Sequence, residues 1–276
     1  MEEQISTISR ALICGGQVSL AVLNTTALVR EAQNRHRLKA GALSVLGKTL
    51  TASCYLCGWL KGAKSALTVS IHSDGDFGNI SVLGDGNLNL RGYVENPFCE
   101  VGRLGNGTLS VVRDDGERLP FAGTVPLVSE EIDQNFSTYF SESEQILTKV
   151  VLSVVSDGEN VVRAGGAILQ ALPFADDKAR ALIASGGERL KKFLDAGQYD
   201  KIFEEYAVTD IDVRETKFAC TCSKERVESL LLSMGKEQAI QLLEEDGQIS
   251  VHCQYCNTDY IFGRERIGKL FKKHGR

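Results

Sequence analysis

The chain has no surplus of basic charge: 31 lysines and arginines stand against 36 acidic residues, for a net charge of −5. Broad, non-specific nucleic-acid binding needs a basic face, so a nucleic-acid partner is not expected. A long hydrophobic run is also missing. The most apolar stretch, Ala40 to Leu60, is interrupted by Lys48 and several hydroxyl residues, which suits a buried helix better than a membrane span. The N-terminus, Met1-Glu-Glu-Gln-Ile5, is acidic and lacks the basic-then-apolar pattern of a signal peptide. A cytoplasmic location is therefore expected, where thiols stay reduced, bind metal or sense oxidants. No Ser/His/Asp set, focused carboxylate pair or phosphate loop stands out. Gly84-Asp-Gly86 lacks the third glycine and the following helix of a phosphate loop, and reads as a hairpin turn. No enzyme is expected.

With 43% apolar residues over 276 positions, the chain can bury a full core. Residues 26–60 read as helix, with apolar residues at three and four spacing through Leu38, Ala42, Val45 and Leu46. Leu67, Val69 and Ile71 alternate with Thr68, Ser70 and His72, as in a half-buried strand. Turn signals at 73–76 and 84–87 bracket another strand at Asn79–Leu83, and Leu88–Val94 continues the meander. Leu109–Arg113, Val151–Val155 and Val161–Leu172 are further strand candidates, with an acidic helix near Glu130–Phe140. The mixture predicts an α+β core domain over residues 1–175.

The composition then shifts. From Asp176 to Glu215, 17 of 40 residues are charged. Short amphipathic pieces carry Leu182/Ile183, Leu190/Phe193/Leu194 and Ile202/Phe203/Tyr206, each too short to be a stable helix alone. Residues 176–217 are expected to be a metastable helical linker. Residues 218–276 read as a small α+β module: helices at Lys224–Met234 and Lys236–Glu245, then strands at Gln248–His252 and Thr258–Phe262. Its core is thin, and a bound metal is a natural source of stability. The basic tail from Arg264 to Arg276, with Ile267, Leu270 and Phe271 on one face, reads as a docked surface helix, an RNA contact being the alternative.

Four cysteines fall in this module, Cys220-Thr-Cys222 and Cys253-Gln-Tyr-Cys256. Two close pairs can bring four thiolates to one point, as a tetrahedral zinc site requires. The same thiols could be oxidised to two local disulfides, so the site is either a permanent staple or a switch. The Cys-x-Cys pair closes only through a small, strained ring, which suits a reversible sensor. His252 is a rival ligand, but beside Cys253 on a strand it should face the other way. Cys54 and Cys57 form a Cys-x-x-Cys pair that invites a thiol-disulfide oxidoreductase reading. Inside an apolar helix they are more simply two small hydrophobes. Cys14 and Cys99 stand alone, and neither they nor Cys54/Cys57 are assigned a role.

The segments Phe218-Ala-Cys220-Thr-Cys222-Ser-Lys-Glu-Arg226 and Val251-His-Cys253-Gln-Tyr-Cys256-Asn-Thr-Asp-Tyr260 closely resemble the zinc-binding signature of the 33 kDa chaperonin family. Gly47-Lys-Thr-Leu50, Arg91-Gly-Tyr-Val-Glu-Asn-Pro97, Val125-Pro-Leu-Val-Ser129 and Ala164-Gly-Gly166 look like further landmarks of that family. Lys224 stands where arginine is common. The resemblance implies a redox-regulated holdase that binds unfolding client proteins without ATP. It implies one zinc ion on Cys220, Cys222, Cys253 and Cys256 in the reduced, inactive form. It further implies that oxidation pairs Cys220 with Cys222 and Cys253 with Cys256, releases zinc, unfolds the linker and yields a homodimer.

Overall fold

Period-two alternation builds one large sheet. The computed structural model describes residues 5–274 apart from 118, 159 and 209, and the side chains up to residue 272. Met1–Gln4, on which most of the N-terminal reading rests, and the last two residues of the basic tail lie outside the described residues. Two compact units follow one another, Met1–Ala219 and Cys220–Arg276.

The first unit opens with a hairpin, β1 (Ser6–Ile13) and β2 (Val18–Asn24), turned by Cys14, Gly15 and Gly16 at positive φ. The helix read over 26–60 is two helices, α1 (Thr26–His36) and α2 (Ala40–Cys57). Arg37 breaks them in the left-handed conformation, φ 54°. The start of α2 is fixed by a distant loop: the Lys39 and Ala42 amides donate to the carbonyls of Pro97 and Cys99, each at 2.9 Å. Helix α2 is apolar almost all round because it is the buried spine of the unit.

The meander follows as β3 (Ala66–Ser73), β4 (Ile80–Asp85), β5 (Asn89–Val94), β6 (Gly107–Asp114) and β7 (Phe121–Pro126). Then come α3 (Ile132–Glu142), β8 (Thr148–Ser156) and β9 (Val161–Ala171). The acidic segment contributes α4 (Asp177–Ser185), α5 (Gly187–Ala196) and α6 (Tyr199–Glu205). It is not helical to its end: Asp212–Phe218 is a strand, β10, which the charged composition does not announce. Its strand conformation is imposed by two neighbours with unpaired edges, not by its own propensity. The sheet order is β7-β6-β3-β4-β5-β10-β1-β2-β9-β8, so β10 joins two half-sheets.

Alternation decides which face each residue serves. Ile8, Ala21, Leu23, Val150, Leu152 and Ile168 pack with α1, α2 and α3. Their strand neighbours Ala11, Val18, Leu20, Val22, Val151, Ala167 and Leu169 point to the other face, where Ile183, Leu190, Leu194, Ile202 and Phe203 cover them. The half-sheet of β1, β2, β9 and β8 is thus covered on both sides, and α4–α6 are its second cover.

The second unit is α+β as well. It comprises α7 (Lys224–Met234), α8 (Lys236–Asp246), β11 (Gln248–Cys253), β12 (Thr258–Gly263) and α9 (Arg264–His274). Gly247 ends α8 in the left-handed conformation, φ 74°. Its core is Val227, Leu231, Ala239, Leu243, Ile249, Phe262, Ile267 and Leu270. The tail helix contributes Ile267 and Leu270 to that core. Among the described residues, no helix is long and apolar enough to cross a membrane.

Candidate metal centre

Two chain segments bring four sulfurs together. Cys220 and Cys222 lie in the extended stretch before α7, whose N-cap Ser223 accepts a hydrogen bond from the Arg226 amide at 3.2 Å. Cys253 ends β11 and Cys256 lies in the turn to β12. There the Cys256 and Asn257 amides donate to the Cys253 carbonyl, and Asn257 takes a positive φ of 55°. The hairpin is in register from Gln248↔Gly263 to Cys253↔Thr258, which fixes the second cysteine pair at its tip.

All four Sγ atoms lie within 4.8 Å of one another. Cys220 and Cys253 are 3.8 Å apart, and Cys222 and Cys256 are 3.2 Å apart. Cys256 is buried and the other three are half-buried, all as free thiols. His252 points elsewhere, standing 2.7 Å from Asp259 Oδ1 across the hairpin. The group can hold one metal ion.

Two neighbours that the cysteine spacing does not reveal shape the chemistry. The Tyr260 hydroxyl donates to Cys222 Sγ at 3.1 Å, and Thr258 Oγ1 stands 3.3 Å from Cys256 Sγ. Both belong to β12 and share the Cys256 side of the hairpin, a period-two signal that could have identified them. Burial, then the adjoining thiols, push Cys220 upward; Cys256 is also raised, chiefly by burial. At Cys222 burial is outweighed by hydrogen bonds from Tyr260 and the neighbouring thiols, which hold it down to about 7. Four adjacent thiolates resist joint ionisation unless a cation sits among them. The donor set and spacing suit such a cation.

The remaining cysteines are dispersed. Cys14 is exposed and Cys99 half-buried. Cys54 and Cys57 are fully buried on α2. Burial pushes the Cys54 thiol up to about 11, against a hydrogen bond from Thr216 and the charges of Arg10 and Arg214. Cys57 is raised by burial and by Cys54. The side-chain packing is tight: a Cβ on Gly84 would come 2.2 Å from Cys57 Sγ. In the native protein at pH 8, Cys54 should alkylate roughly a hundredfold more slowly than exposed Cys14. Mass spectrometry of iodoacetamide-treated protein checks this; equal rates would revive an exchange role for the pair.

The family model for Hsp33 protein matches residues 6–263. A 33 kDa chaperonin of Bacillus cytotoxicus is 34% identical over 95% of this chain and 97% of its own. One from Bacillus cereus is 35% identical over the same shares. The crystal structure of a 33 kDa chaperonin from Thermotoga maritima superposes with a TM-score of 0.85 at 27% identity. It covers 98% of this chain and 99% of that one. Match, length and fold agree, and the chain belongs to the Hsp33 family.

Proposed function

We propose that this protein is a redox-regulated, ATP-independent chaperone that holds unfolding polypeptides during oxidative and heat stress, in a cytoplasmic setting. The names of its relatives, 33 kDa chaperonin and heat shock protein 33 homolog, support the chaperone reading. The observation that carries the regulation is the convergence of four free sulfurs in a unit with a small core. Zinc fits this set best. With Zn–S near 2.3 Å, the edge of a tetrahedral thiolate cage is about 3.8 Å, close to the sulfur separations of 3.2 and 3.8 Å.

In this reading zinc on Cys220, Cys222, Cys253 and Cys256 keeps the reduced protein inactive. Peroxide oxidises Cys220 with Cys222 and Cys253 with Cys256. Each thiolate pair gives up two electrons as its S–S bond forms, and with two protons from solvent these reduce one peroxide to two waters. Sulfurs joined as disulfides no longer ligate a cation, so Cys220, Cys222, Cys253 and Cys256 would give up zinc held there and the unit would lose the folding energy of that binding. Residues 218–276 are the switch, 176–217 the linker and 1–175 the client-binding and dimerising domain. Once α4–α6 detach, Val18, Leu20, Val22, Ala167 and Leu169 become an apolar client surface.

The test is to measure bound zinc and suppression of a heat-labile protein's aggregation together, before and after peroxide at elevated temperature. Zinc loss should coincide with the onset of protection. Equal protection by the reduced, zinc-loaded form would sink the switch.

A further inference from the structure

Strand β10 holds its place by backbone pairing, with a few side-chain ties: Arg214 and Thr216 Oγ1 donate to the carbonyls of Gly86 and Leu88, each at 2.9 Å, and Phe218 packs partly buried against the core. It pairs antiparallel with β1 from Ser6↔Thr216 to Arg10↔Asp212, and parallel with β5 at Lys217↔Asn89 and Phe218↔Leu90. The Lys217 and Ala219 amides donate to the carbonyls of Leu88 and Leu90 at 3.2 and 2.8 Å. Its sequence, Asp-Val-Arg-Glu-Thr-Lys-Phe, has four charges in seven residues, and Thr216 is the one side chain that is buried. Natural central strands are held by burial on their faces. This one occupies a central position with the composition of an edge strand.

The slot around it is better made than its occupant. On one side β1 presents Ile8 and on the other β5 presents Leu90, both fully buried. Beside the C-terminal half of β10 runs a groove of about 730 Å³ lined by Ile5, Ala27, Leu28 and Phe218, with Glu31 and Lys217 among its polar residues. The C-terminal end of β10 is also two residues from Cys220, the first sulfur of the metal centre.

We propose that the slot between β5 and β1 is a strand-accepting site, and that β10 is its resident placeholder. Its occupant is an extended segment of an unfolded polypeptide, which replaces β10 by main-chain hydrogen bonding to β1 and β5. Loss of β10 leaves the β1 amides and carbonyls from Ser6 to Arg10 as an open edge, and an open edge pairs with any extended chain. Backbone recognition tolerates diverse sequences, as a holder of many clients requires. This deepens the holdase reading above and rests on its release of residues 176–217.

The full chain, activated by peroxide at elevated temperature, is followed by hydrogen exchange with and without reduced, carboxymethylated α-lactalbumin, a permanently unfolded probe. Activation should speed exchange over 5–13 and over 212–218. The probe should then slow 5–13 roughly tenfold while 212–218 stays fast. Probe binding that leaves 5–13 fast overturns the proposal. Re-protection of both segments with rising protein concentration and no probe also overturns it, since a second copy would then fill the slot. Val213→Pro and Arg214→Pro, adjacent positions of opposite parity, separate the two readings. One of them removes an amide aimed at β1 and loosens β10 without oxidation. Probe protection of 5–13 in that reduced, metal-loaded variant supports the slot even if peroxide fails to free β10 in the parent. Its absence, with 212–218 fast, removes the slot and leaves the redox switch standing.

Discussion

Cys222→Ser, like a strong chelator, is expected to unfold residues 220–276 while the large unit keeps its structure. The second unit has fewer than sixty residues and a core of eight buried apolar side chains, with one aromatic, Phe262, among them. A core of that size supplies roughly 3–5 kcal/mol at best. Structural zinc in comparable small modules contributes about 10–16 kcal/mol. Zinc held as proposed would therefore outweigh everything else that holds the unit, and removing one sulfur would remove most of that contribution. The check is hydrogen exchange together with bound-zinc stoichiometry. Amides of α7, α8 and β11 should lose protection in Cys222→Ser, whereas Cys14→Ser should change neither reading. Retained protection after complete metal loss would show that the core of the second unit suffices, and the melting step would have to be abandoned.

Ile202→Asp should produce a protein that protects clients without any oxidant. Ile202 is fully buried against the second face of the sheet, beside Phe203 and near Leu190 and Leu194. Placing a carboxylate there costs about 4 kcal/mol or more, because the charge has no partner in an apolar site. Helix α6 has seven residues and α5 has ten, too short to persist once their packing is lost. Their release uncovers the half-sheet face while the four sulfurs, in the other unit, keep their metal. Suppression of aggregation by reduced, zinc-loaded Ile202→Asp, with fast exchange over 177–205, is the expected result. If exchange is fast and protection absent, the covered face is not the client surface.

The cysteine cluster was legible from spacing alone, because two pairs in one small module leave few geometries open. Turn and period signals likewise carried β3 to β6, α7, α8 and the final hairpin. The buried spine was legible as helix but not its break. Arg37 has no glycine-like signature, and what starts α2 is a pair of carbonyls about sixty residues away, at Pro97 and Cys99. Tyr260 belongs to the sequence motif around Cys256, yet it is the hairpin register that turns its hydroxyl onto Cys222.

Local chemistry thus determined the four-cysteine cluster, the α+β class and the dense charge of residues 176–215. These follow from residue type, period and charge density, which act within a few residues. Tertiary structure alone decided that this segment covers one face of a half-sheet and ends as a strand between β5 and β1. A strand with four charges in seven residues has no local reason to be one. It is a strand because two edges, built from residues more than a hundred positions away, need hydrogen-bond partners.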